Sequence, residues 1–385
     1  MSNLLVREIT QGEIQVKVSA RSMKKMKKIL ILANNDVGLY KFRKELIQEL
    51  VKENKVFISL PDGDYIQEFK EIGCEFINTP ISRRGTNPIT DLKLMWFYKR
   101  IIKEVQPDIV LTYTIKPNIY GGIICRFIKI PYIVNITGLG TAVENGGLLQ
   151  KITLFLYKLS LGKTKCVFFQ NEENKEFLSK RIPINNCRLI PGSGVNLEYY
   201  SLLDYPKDET INFLFIARVM KEKGIDQYLD AAKVIKKKYP RTKFHILGFC
   251  EQDYKEKLIK MENEGIIEYH GMQSDVRKFH EKSHCTIHPT YYPEGMSNVL
   301  LESSACGRPI ITTDRSGCKE IVDKGVNGYI VEQQNSKDLI EKIERFLELD
   351  YEKKKQMGLS GRDKVKRSFS REIVVGAYLE EIRKL

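Results

Sequence analysis

The sequence holds no C-x-x-C pair, only five histidines and one tryptophan. No charge-free apolar run approaches the roughly 18 residues that cross a bilayer. Its eight cysteines, Cys74 to Cys318, are scattered without metal-like clustering, which argues for a reducing cytoplasm and incidental thiols. His280, His284 and His288 follow one another four apart, but the stretch runs from a helical "DVRKFHEKS" into the strand "CTIHPT", so no H-x3-H pair shares one helical face and no metal centre is expected. Residues 1–25 lack the apolar core of a signal peptide and are read as a disordered extension. Acidic residues are also short: 49 against 63 basic ones, a net charge of +14. That excess calls for an anionic partner, whether nucleic acid, an anionic membrane face or a phosphorylated ligand. At 385 residues the chain exceeds what one hydrophobic core usually supports, so two domains are expected.

Apolar β-branched runs alternate with amphipathic stretches along the folded part. "KKILILAN", "KVFISL", "CEFINTP", "DIVLTYT", "PYIVNITG", "KCVFFQN" and "CRLIPGSG" read as strands separated by helices. After a polar stretch around "LEYYSLLDYPKDET", a second series runs through "INFLFIARV", "KFHILGF", "IIEYHGM", "CTIHPT", "PIITTD" and "GYIVE". Near-continuous apolar strands with helical crossovers predict parallel sheets covered on both faces. The expected architecture is α/β, with two Rossmann-like doubly wound domains facing across a cleft. Residues 26–200 form the first, 201–365 the second, and 366–385 are a terminal helix returning to the first.

"EGMSNVLLE", Glu294 to Glu302, sets two acids around a helix start. In a continuous helix they would stand about 80° apart around the axis and about 12 Å along it, too far to share a proton or a metal. With Ser297 or Asn298 as a cap, the helix front offers free N–H groups, and Gly295 permits close approach by an anion. The layout suits hexose, diphosphate and ribose of a nucleoside diphosphate sugar. "ARVMKEKG" adds Arg218 and Lys223 at another strand end, two cations suited to a diphosphate leaving group.

These two stretches, with "ACGRPIITTD" and "GVNGYIV", resemble the retaining GT-B glycosyltransferases of family four, from about residue 27 to the end. "ISRRGTNP", "LTYTIKPNIYGG", "NITGLGT" and "PGSGVNLEYY" resemble the branch that builds capsule, O-antigen and protein-glycan precursors on lipid carriers. The resemblance implies that Arg218 and Lys223 bind the diphosphate, that Glu294 faces the donor hexose, and that Glu302 takes the ribose. Gly38 would lie in a loop against the donor phosphates, and Gly295, Met296, Ser297 and Asn298 would line the donor. Met272, in the "HGM" loop from His270, would touch the base. Many members carry His-Gly where this chain has Thr137-Gly138, so an imidazole base at the reaction centre is unsupported.

The resemblance further implies a UDP-sugar as co-substrate, no metal, and a lipid-diphosphate-linked saccharide as acceptor. Arg83, Arg84 and Lys116 are candidates to hold the acceptor diphosphate beside Thr137. "PDGD", Asp62 to Asp64, mimics a metal motif of another glycosyltransferase fold and reads instead as a turn with Asp64 capping the next helix. "DLKLMWFYKRIIK" and "GGLLQKITLFLYKLSLGKTK" fit either core-facing helices or helices lying in an anionic membrane interface. Attachment at the cytoplasmic membrane face is the expectation. Two other functions stay open: a non-hydrolysing UDP-sugar epimerase of the same architecture, and a basic nucleic-acid-binding protein without a recognisable reading motif.

Overall fold

The computed structural model describes residues 26–80, 87–140, 143 and 146–385. The expected extension over residues 1–25 and the candidates Arg83 and Arg84 lie outside the described residues. The first lobe is a parallel sheet of seven strands in the order β3-β2-β1-β4-β5-β6-β7. These are β1 (Lys27–Leu32), β2 (Asn54–Leu60), β3 (Glu75–Asn78), β4 (Ile109–Tyr113), β5 (Tyr132–Ile136), β6 (Cys166–Phe169) and β7 (Cys187–Leu189). The second lobe is a parallel sheet of six in the order β10-β9-β8-β11-β12-β13. These are β8 (Ile211–Ile216), β9 (Thr242–Leu247), β10 (Glu268–Tyr269), β11 (Cys285–His288), β12 (Ile310–Thr313) and β13 (Gly328–Val331).

The inner strands β4 and β5 are buried along their whole length; every residue of Ile109–Tyr113 and Tyr132–Ile136 is shielded, as helices on both faces require. Strand order reverses between β1 and β4 in one lobe and between β8 and β11 in the other. Crevices open at the carboxyl ends of strands at such reversals, and that is where ligands bind in doubly wound sheets.

Two chain crossings join the lobes and are tied to each other. Val195 N donates to Phe369 O at 2.8 Å, and Arg371 N donates to Val195 O at 2.9 Å. Beyond the second crossing the helix Arg371–Arg383 packs on the first lobe. Val374, Tyr378 and Ile382 join the core of Ile29, Ile31 and Leu46. Asn135, a polar residue inside β5, finds the Tyr378 hydroxyl there, so its amide is not left orphaned.

One local expectation is corrected, and two connections between strands depart from a regular α-helix. Tyr65, not Asp64, precedes the helix Ile66–Ile72, and no side chain caps it; the Tyr65 N–H goes to Asp36 at 3.0 Å. Residues 117–121 form a π turn before the helix Gly122–Ile128, and the Asn118 carbonyl there accepts from the Ser160 hydroxyl. "CKEIVDKG" gives only the 3-10 turn Lys319–Ile321.

Candidate active site

Glu294 leaves the end of β11 in a loop that reaches across to the first lobe. Asn171, at the end of β6, caps the helix Glu172–Ser179 through its Oδ1 and uses its amide on the other lobe. That amide donates to Glu294 O at 3.0 Å and to Gly295 O at 2.7 Å. A Cβ on Gly295 would stand 2.1 Å from Thr137 O and 2.4 Å from Gln170 Oε1. Glycine is therefore required for the lobes to meet here, whatever its role toward an anion. Thr137 lines the same cleft, with Gly138 after it at φ +147°.

On the second-lobe side, Lys223 closes the 3-10 turn Lys221–Lys223, and Gly224 follows at φ +77°. A Cβ on Gly224 would lie 2.1 Å from Pro289 O, so this turn is seated directly on the end of β11. That seating brings the Lys223 ammonium onto Glu294 Oε1, with the two side chains 11% and 17% exposed. Arg218 pairs with Glu251 from the loop after β9. Both cations stand over the ring of Tyr292, Arg218 at 5.1 Å and Lys223 at 4.7 Å from its centroid. The two predicted cations thus converge, each already matched by a carboxylate. An ammonium has three donors, so Lys223 can hold Glu294 and still present hydrogens to an anion.

His288, the last residue of β11, has Nε2 4.0 Å from Glu294 Oε1. Burial, with the Lys223 charge beside it, pushes its ring down to about 3, so the contact is not an ion pair at neutral pH.

Ser297 holds the N-cap position of the helix Asn298–Ala305, but its hydroxyl makes no cap bond; its N–H goes to Gly317 O at 2.8 Å. Asn298 is the first helical residue and lines the cleft. The front amides therefore lack a side-chain cap, the state in which they can serve an anion. Met296 is 7% exposed and wedged against Gly192, where a Cβ would meet it at 2.4 Å. It packs the lobe junction as much as it lines the cavity.

Other expectations fare differently. Gly38 lies inside the first turn of the helix Asp36–Val51, not in a loop. Its N–H donates to the capping Asn35 Oδ1 at 2.6 Å, and a Cβ would sit 2.8 Å from that oxygen. Lys116 is not a free cation: its ammonium meets Asp91 Oδ1 at 2.7 Å, both side chains are 15% exposed or less, and Tyr120 donates to the other oxygen. Met272 is 70% exposed and does not line the cleft cavity. Glu302 does not line it either. It stands one turn further along its helix, where burial pushes its carboxyl up to about 7 against the opposing pull of the Tyr200 hydroxyl, Arg371 and Lys41.

The enclosed part of the cleft measures about 260 Å³ and is lined by Asn35, Arg43, Thr114, Thr137, Gln170 and Glu294, among others. Arg43 escaped the sequence reading. It is 3% exposed, donates to Phe42 O at 2.7 Å, and packs on the rings of Tyr113 and Tyr378. No carboxylate partners it among the described residues, an expensive state for a buried charge unless an anion visits. Its position gives a usable signal: Asp36, Leu39, Arg43, Leu46 and Leu50 share one buried stripe, and an arginine inside an apolar stripe is anomalous. Thr114, just past β4, holds φ +71°. That conformation costs a β-branched residue ~1–3 kcal/mol and tends to gather at working sites.

Comparison with known proteins agrees with this construction. The family model for Glycosyl transferases group 1 matches residues 205–364, and that for Glycosyl transferase 4-like matches residues 28–171. Over 342 residues the chain is 27% identical to the N,N'-diacetylbacillosaminyl-diphospho-undecaprenol alpha-1,3-N-acetylgalactosaminyltransferase of Campylobacter jejuni, covering 83% of this chain and 89% of that protein. It is 24% identical to the capsular polysaccharide biosynthesis glycosyltransferase CapM of Staphylococcus aureus, covering 90% and 93%. HepE of Anabaena, solved with UDP and glucose, superposes with a TM-score of 0.78 at 17% identity, covering 93% of this chain and all of that one. Two matched domains, two sheets reversing at one cleft and the paired cations between them lead to one assignment: the chain belongs to the family-four GT-B glycosyltransferases, with a glycosyl transferase 4-like first lobe and a group 1 second lobe.

Proposed function

We propose that this glycosyltransferase moves a hexose or N-acetylhexosamine from a UDP-sugar to a lipid-diphosphate-linked saccharide, with retention of anomeric configuration and without a metal, in bacterial surface-glycan assembly. One observation carries the reading: Lys223 is held on Glu294 beside an uncapped helix front, with Arg218 over the same tyrosine. In the reaction the bond from the sugar to the diphosphate breaks and negative charge collects on the departing phosphate oxygen. Lys223, Arg218 and the amides of Gly295, Met296 and Asn298 stabilise that charge. The acceptor hydroxyl attacks from the same face and gives its proton to the departing oxygen, so no protein base is needed where Thr137 replaces histidine. Glu294 orients the hexose, and Glu302 receives the ribose hydroxyls once the lobes close. Arg43, the buried cation of the first lobe, faces the acceptor side.

A lipid-linked acceptor is supported by what the Campylobacter relative acts on, as its name states. The test is UDP release from UDP-glucose, UDP-galactose and their N-acetyl forms, with and without an undecaprenyl-diphosphate saccharide. Release that depends on acceptor is expected. Equal consumption of donor without acceptor would indicate an epimerase and end the proposal.

No helix of the described residues is long and apolar enough to cross a membrane. The helices Pro88–Val105, Gly122–Ile128 and Gly147–Leu161 adjoin one another and turn a second apolar face outward. Trp96 is 74% exposed, Phe127 77% and Phe155 60%, although Tyr98 and Tyr157 on the opposite faces are fully buried. Arg126, Lys129, Lys151 and Lys158 are exposed around them. These exposures support a reading in which one face of the helices serves the core and the other lies on an anionic bilayer surface on the cytoplasmic side. Replacing Trp96, Phe127 and Phe155 together by serine should abolish most binding to anionic vesicles at physiological salt. Turnover on a detergent-solubilised acceptor should stay near wild type. Undiminished vesicle binding in a sedimentation assay would remove the membrane face.

A further inference from the structure

The strand crossing at β9 and β10 gathers side chains that the sequence keeps 25 positions apart. His245 Nδ1 lies 3.0 Å from His270 Nε2 and 3.2 Å from Glu268 Oε2. All three donor atoms fall within 4.8 Å of one another. The cluster opens into a cavity of about 350 Å³ on the second lobe, away from the cleft, with Asp208, Phe279 and Lys282 on its walls.

The surrounding bonds aim these atoms. Asn212 donates its amide to Thr210 O at 3.2 Å, which leaves Asn212 Oδ1 to accept from His245 Nε2 at 3.1 Å. The His245 proton is thereby fixed on Nε2, and Nδ1 presents a bare lone pair to the cluster. Lys243 holds the other oxygen of Glu268 at 2.8 Å, leaving Oε2 directed inward. The Phe279 ring, 4.9 Å from that of His270, sets the second imidazole. His245 and Glu268 thus each have an outer polar partner that orients them, as ligands around bound metals do. Four ligands at 2.0–2.1 Å on a tetrahedral ion stand about 3.3 Å apart, within a few tenths of an ångström of the two separations here.

We propose that His245, His270 and Glu268 form a binding site for a divalent ion of the zinc class, with the fourth position open to the cavity. Imidazole and carboxylate together suit zinc and cobalt better than magnesium or calcium. Without the ion, one proton on His270 Nε2 bridges the rings; on binding it moves to Nδ1 and the ion takes both lone pairs. The ion would fasten β9 to the segment after β10, whose Gly271 O accepts from Gly248 N at 2.8 Å. The site takes no part in the transfer chemistry and stands or falls separately from it.

The full chain, stripped with a chelator, should bind one equivalent of Zn²⁺ in calorimetry and melt at a higher temperature with it. Co²⁺ should give visible bands of a nitrogen- and oxygen-ligated ion, without the near-ultraviolet charge-transfer band of thiolate ligation. His270→Gln and Glu268→Gln should each weaken Zn²⁺ binding by at least about tenfold. Two variants are used so that a folding defect in one leaves the other readable. Absence of one-equivalent binding, wild-type affinity in both variants, or a thiolate signature would each overturn the site.

Discussion

Lys223→Ala lowers the transfer rate at saturating donor by about 10²–10³-fold, the usual effect of deleting one preorganised charge at a developing oxyanion. It also destabilises the protein, because Glu294, 17% exposed, is left without its ammonium. Breaking a buried pair from one side costs roughly 3–5 kcal/mol, and the residual exposure places this pair below that range. The two effects separate in the double variant Lys223→Met with Glu294→Gln, which removes both charges. Thermal stability should recover toward wild type while turnover stays low. A single variant turning over near the wild-type rate, measured as UDP release, would refute the role given to the ammonium.

Gly295→Ala should cost at least about 10²-fold in turnover, since displacement of reacting groups by about 1 Å has that effect. The new methyl cannot coexist with Thr137 O at 2.1 Å. The lobes must part, and Asn171 loses its hold on the Glu294 and Gly295 carbonyls. Each lobe keeps its own core, so the melting transition should move little compared with the activity. Small-angle scattering should show a more open particle. Turnover within about threefold of wild type would mean that the two lobes need not touch at this point for transfer.

The strand pattern was legible because the inner strands of both sheets are apolar runs shielded on two faces, and that signal is local. Arg218, Lys223 and Glu294 were legible because the resemblance lies in the strand-end segments themselves. Their partners were not. Glu251 answers Arg218 from 33 positions away and Asn171 grips Glu294 from 123 away, and such pairings belong to topology, not to pattern. The partner of Lys116 was hidden for the same reason, since Asp91 comes from another helix. Gly38 and Gly295 were both read as room for an anion. The structure gives each a nearer reason, an asparagine cap in one and the opposite lobe's backbone in the other. The His245–His270 contact was invisible to spacing rules, because adjacent parallel strands join residues separated by a whole crossover.

The helix Arg371–Arg383, which plugs Tyr378 into the first lobe, sets an order of maturation. On the ribosome the sheet of the first lobe must wait for a segment made after the second lobe before its hydrophobic interior is sealed, whereas the second lobe can finish earlier on its own contiguous stretch. The lobe synthesised earlier is therefore completed after the one that follows it, and nascent chains arrested before residue 371 should carry an unsealed apolar surface that attracts chaperones.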